Sequence, residues 1–127
     1  MYTITKRMEV SSSHHLNLPY ESPCQNVHGH NWIIEIEVSG TVLNDEGMLI
    51  DFTTIKAIVM QLDHTDINKV LDENPTAENI AKWISDSINT HITQTWNDPA
   101  TYDERPCVTS VVVEENEGNR ACYLPNF

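Results

Sequence analysis

The sequence predicts an α+β domain in the order ββααββ, a four-stranded antiparallel sheet with two helices on one face. Three observations predict it. Residues 2–14 and about 28–41 alternate apolar with polar side chains, the period of a half-buried strand. From Phe52 to Ile92 the apolar residues instead recur at three- and four-residue spacing, the period of a helix flank. A Val-rich run, Val108 to Glu115, then turns at Glu117-Gly118-Asn119 into a fourth strand, Arg120 to Leu124. Two hairpins separated by helices imply an antiparallel sheet with both helices in one layer. Such a sheet leaves two edges, and joining subunits into a barrel is one way to close them.

At 127 residues the chain is long enough for one core, and 1–127 reads as a single domain without internal repeats. A net charge of -12 with seven Lys plus Arg argues against a nucleic-acid or anionic-membrane surface. No apolar run is long enough to span a bilayer, and the N-terminal stretch lacks the apolar segment of a secretory signal. Three widely spaced cysteines do not make a disulfide framework and point to a reducing cytoplasm.

Taken in order, Tyr2, Ile4, Met8 and Val10 share the apolar face of the first strand, with Lys6 the exception, and that face carries His14. A loop from Asn17 to Val27 follows, holding Pro19, Pro23 and Cys24. The second strand ends near Thr41, before the turn signal Asn44-Asp45-Glu46-Gly47. Asp51 is placed to cap a helix whose buried residues are Phe52, Ile55, Val59 and Leu62, fading at Asp63-His64. Leu71 to Pro75 is a connector. Thr76 then caps a second helix with Glu78 in its first turn and a stripe of Ile80, Trp83, Ile84, Ile88 and Ile92. Asn97 to Pro106, polar and acidic, reads as a loop.

The chemistry gathers around Cys24-Gln25-Asn26-Val27-His28-Gly29-His30. In a strand His28 and His30 point to one face, where they can grip one ion, and Gly29 between them leaves room for a close approach. His14 comes from the partner strand. Three imidazoles suit zinc and leave a fourth position open for water or substrate. His15 points to the opposite face and His91 to a helix flank, so neither joins the set. Cys24 is the best placed of the three thiols, a nucleophile or base if a nearby cation lowers its pKa. Cys107 and Cys122 read as small packed hydrophobes. Asp63-His64 is a carboxylate–imidazole pair suited to acid–base work, though the same dipeptide also ends helices. A His-x-His pair with Glu35 five residues on also occurs in cupin-like metal proteins. That reading needs strands throughout, and the helical stretch 52–92 counts against it.

Together, His14, the Cys24-to-Asn31 run, Leu62-Asp63-His64, Asn74-Pro75-Thr76-Ala77-Glu78-Asn79 and the Glu115…Tyr123 pair resemble the 6-pyruvoyltetrahydropterin synthase family. The resemblance spans nearly the whole chain and implies the family's tunnelling fold (T-fold). It implies zinc on His14, His28 and His30, and Cys24 as catalytic thiol with Asp63 and His64 as acid–base partners. It makes Glu115 the carboxylate that anchors the pterin ring, with Glu114 competing on sequence alone, and lets Thr76 and Glu78 line the pocket. The implied substrate is a pterin triphosphate, 7,8-dihydroneopterin triphosphate. The short gap between Cys24 and His28 resembles the branch that makes 6-carboxy-5,6,7,8-tetrahydropterin for queuosine, releasing triphosphate and acetaldehyde. The pyruvoyl-forming branch is the alternative. A homohexamer built as a dimer of trimers, with sites between subunits, is likewise implied. The chain departs from the family at Ser11-Ser12-Ser13, where small apolar residues are common. Its few cations do not single out a triphosphate site; Lys6, Arg7 and Arg120 are the candidates named.

Overall fold

β1 (Tyr2–His14) and β2 (His28–Gly40) pair antiparallel along their full length, from Tyr2 opposite Gly40 to His14 opposite His28. β2 then pairs with β3 (Cys107–Asn116), and β3 with β4 (Asn119–Tyr123), in the sheet order β1-β2-β3-β4. The computed structural model describes residues 1–125. Two helices, α1 (Phe52–Val59) and α2 (Ala77–Thr95), bridge β2 to β3. The order is the ββααββ that the periodicities predict, and the helices exclude an all-strand, cupin-like architecture.

One face of the sheet makes the core. Val10, Trp32, Ile34, Ile36, Val111 and Val113 are almost wholly buried, and so are Ile55 and Val59 of α1 and Ile80, Ile84 and Ile88 of α2. Both caps form as expected: the Asp51 carboxylate accepts from the Thr53 N–H at 2.8 Å, and Thr76 Oγ1 accepts from Asn79 N–H at 3.1 Å. Phe52 departs from the expected stripe and is 47% exposed. Side chains tilt toward a helix N-terminus, so the first residue after the cap overhangs the helix end instead of the sheet. Beyond Val59 the chain tightens into a 3₁₀ turn, Met60–Leu62, which still buries Leu62. A second such turn at Ile67–Lys69, unexpected from the sequence, buries Ile67.

The expected loop 97–106 is partly built. It holds a 3₁₀ turn at Tyr102–Glu104, the Trp96 indole N–H donates to Thr101 Oγ1 at 3.1 Å, and the Arg105 guanidinium lies 4.3 Å above the Tyr102 ring. Pro106 crosses Gly40 so closely that a Cβ there would meet it at 3.1 Å and Leu49 at 2.9 Å. The turn at Asn44–Gly47 forms, with Gly47 at φ 80. Cys122, expected to pack, is exposed, because β4 is an edge strand and alternate residues of it face away from the helices. Cys107 is half-buried.

The free edge of β1 is covered at its end. His64 N–H donates to Ser11 C=O at 2.7 Å, Ser13 N–H to Thr65 C=O at 3.1 Å, and Ser13 bridges Asp66 in parallel. Buried Ser12 Oγ donates to Leu62 C=O. Main-chain bonds at Ser11 and Ser13, with the Ser12 hydroxyl, thus stitch segment 62–66 to the strand that carries His14.

Candidate metal centre

His14 ends β1 and His28 and His30 open β2, so strand pairing alone brings the three rings to one face. Ring centroids lie 4.5 Å apart for His14–His28, 5.1 Å for His14–His30 and 4.9 Å for His28–His30. Trp32, next on the same face, packs edge-to-face on His14 and His30, each at 4.9 Å. From β3, Glu115 brings Oε1 to 3.4 Å from His14 Nε2 and 3.2 Å from His30 Nε2. One donor atom from each of the four residues lies within 4.8 Å of the others. Glu114 does not share this position; it sits opposite Ile33 and Arg120 in the sheet.

The donor set fits a divalent ion. His14 Nδ1–H donates to Pro75 C=O at 2.8 Å, and His28 Nδ1–H to Asn26 C=O at 2.7 Å. Each bond fixes the tautomer that leaves Nε2 as a free lone pair. The Nε2 atoms of His14 and His30 are buried without a hydrogen-bond partner. Orphaned buried nitrogens are costly unless something satisfies them, and an ion bound by all three rings would. The two carbonyls leave no trace in composition or period; only the Asn74-Pro75 motif marks one of them.

Burial first, and then the neighbouring imidazoles, holds His14 below its ordinary 6.5, against the Pro75 carbonyl and Glu115. His30 is lowered by burial and by His28, with Glu115 opposing. The neutral, ligating form is therefore favoured. The sign follows: below 6.5 the unfolded chain takes protons that folded His14 and His30 refuse. The metal-free protein should lose stability as pH falls through that window, so its melting temperature should drop between about pH 7.5 and about pH 5.5. Protons compete for the same nitrogens, so bound metal should be released over the same descent. A melting temperature that rises on acidification would contradict this.

The other expected residues lie around this centre. Cys24, half-buried, sits in a short 3₁₀ turn, Pro23–Gln25, and its carbonyl accepts from Leu16 N–H at 2.7 Å. Asp63 Oδ1 accepts from Ser11 N–H at 2.9 Å, and Asp63 Oδ2 from His64 Nδ1–H at 2.7 Å. The Ser11 N–H, then His64, keeps Asp63 below the usual carboxylate range. The His64 side chain is 81% exposed, and its backbone takes the left-handed conformation, φ 53. Among the described residues no hydrogen bond or ion pair joins Cys24 to Asp63 or His64. Thr76 is occupied as a helix cap beside Pro75, and Glu78 is exposed on the first turn of α2. Among the described residues nothing crowds Gly29, where a Cβ would meet only Ser12 C=O at 3.8 Å. Arg7 lies seven residues along β1 from His14, about 23 Å at strand rise. Of the three candidate cations Arg120 is nearest the centre by register, opposite Glu114.

A family model described as 6-pyruvoyl tetrahydropterin synthase matches residues 3–126. A protein of Bacillus subtilis named 6-carboxy-5,6,7,8-tetrahydropterin synthase is 29% identical over 132 residues, covering 98% of this chain and 86% of that one. A Pyrococcus horikoshii protein provisionally given the same name is 34% identical over 112 residues, 88% of this chain and 68% of that one. The solved 6-pyruvoyl tetrahydropterin synthase of Caenorhabditis elegans superposes with a TM-score of 0.69 at 21% identity, over 97% of this chain and 94% of its own. That likeness concerns the fold.

Proposed function

The chain belongs to the 6-pyruvoyl tetrahydropterin synthase family, and on that footing we propose that it is a zinc-dependent lyase of the carboxy-forming branch. It converts 7,8-dihydroneopterin triphosphate to 6-carboxy-5,6,7,8-tetrahydropterin, with release of triphosphate and acetaldehyde, on a route to queuosine or a related 7-deazapurine. The observation that carries the reading is the convergence of His14, His28, His30 and Glu115, with two buried imidazole nitrogens that accept or donate no hydrogen bond. The names of the Bacillus and Pyrococcus relatives support the carboxy branch.

Zinc, when bound, supplies Lewis-acid polarisation of substrate oxygens. His14, His28 and His30 would hold it, two of them oriented by backbone carbonyls. Glu115, 24% exposed beside the cluster, accepts N–H groups of the pterin ring and so fixes the ring's position. Cys24 takes a proton from the substrate side chain. Asp63 holds His64 by Nδ1–H, which leaves Nε2 free to relay that proton. Thr76 and Glu78 flank the site on the turn beside Pro75.

The exposure of His64 supports a site completed between subunits, as in a dimer of trimers. His64 faces outward beside the covered end of β1, where a neighbouring copy could meet it, and among the described residues the outer edge of β4 pairs with no strand. No helix among the described residues is long and apolar enough to cross a membrane, in keeping with a cytoplasmic enzyme.

The deciding experiment incubates zinc-loaded protein with 7,8-dihydroneopterin triphosphate and reads products by mass spectrometry. Carboxytetrahydropterin with acetaldehyde is the expected result. A pyruvoyl product would move the protein to the sister branch, and no turnover with zinc bound would overturn the reading.

A further inference from the structure

The motif Asn74–Asn79 does more than cap a helix. Asn74 Oδ1 accepts from the Asn17 N–H at 2.9 Å, and its Nδ2 donates to Asn17 C=O at 3.2 Å, so one side chain grips both polar groups of one residue. The turn beneath is itself braced: Asn79 Nδ2 and Thr76 N–H both donate to Asn74 C=O, each at 2.8 Å. The next carbonyl, of Pro75, holds His14. Asn17 begins the loop that carries Cys24, and the residue before it, Leu16, donates to the Cys24 carbonyl. The turn therefore contacts the metal ligand by main chain and the thiol loop by side chain.

We propose that Asn74 is a positioning residue, fixing the Cys24 loop relative to the metal centre by its two-point grip on Asn17. The inference rests on the reading of Cys24 as the reacting thiol, but the grip can be tested without substrate. Asn74→Ala leaves the Pro75 carbonyl in place, since Thr76 N–H and Asn79 still brace the turn. His14 should then keep its tautomer and the protein its metal. The loop, released at Asn17, should open more often.

The test is residue-resolved alkylation of the metal-loaded protein by iodoacetamide, read by mass spectrometry, with exposed Cys122 as internal reference. Cys24 should react about fivefold faster in Asn74→Ala, the order set by two solvent-facing hydrogen bonds, with Cys122 unchanged. Asn74→Asp keeps the acceptor for Asn17 N–H and loses the donor, so it should fall between native and alanine; it also serves if the alanine variant does not fold. An unchanged Cys24 rate in both variants, an equal rise at Cys122, or loss of metal would each overturn the proposal. Failure of the native protein to turn over a pterin triphosphate would sink the functional reading and leave this result standing. With turnover in hand, Asn74→Ala should lower kcat and leave KM unchanged.

Discussion

His28→Ala is expected to strip the metal and abolish turnover while the protein still folds. His14 is the poorer choice for this test, because it is wholly buried and its loss would also open a cavity in the core. His28 is partly exposed and opens β2, so little packing depends on it. Disturbing an orienting partner of a metal ligand alone typically costs 10–100-fold in affinity, so removing a ligand should cost more than about 100-fold. Elemental analysis after dialysis against a weak chelator would check this. A full metal complement in the variant would remove His28 from the ligand set.

Cys24→Ala should separate binding from chemistry in the opposite way. Cys24 lies outside the four-residue donor cluster, in the loop after β1. The variant should therefore keep its metal and its pterin affinity but lose about 10²–10⁴-fold in kcat, the usual share of a general acid or base. Calorimetric titration with a pterin product, beside steady-state kinetics, would read both. Native turnover in this variant would exclude the thiol from the reaction.

Much of this was legible in the sequence where the signal is local. The period of two in residues 28–38 puts His28 and His30 on the face of Trp32 and Ile34, and that is where they are. Asp51 and Thr76 announce their helices because a cap acts within three residues. Glu115 could be told from Glu114 by its alternation with Val111 and Val113. What stayed hidden joins residues far apart by single polar contacts. Asn74 meets Asn17, Pro75 meets His14 and Ser12 meets Leu62, each across fifty residues or more. Such bonds impose no period and need no particular composition, so no window of sequence reports them. Cys122 was misplaced for a related reason: alternation says which residues share a face, but not that the strand is an edge.

The backbone at His64 bears on which residues could ever occupy that position. At φ 53 most side chains are disfavoured, and asparagine, aspartate and histidine are among the few that tolerate the left-handed region. Of those, only histidine changes charge near neutral pH. The conformational filter acts whatever His64 does, and the proton relay proposed for it would add a chemical one. For the same reason His64→Ala would mix backbone strain with lost chemistry. His64→Asn keeps the conformation and removes the imidazole, and so is the fair control.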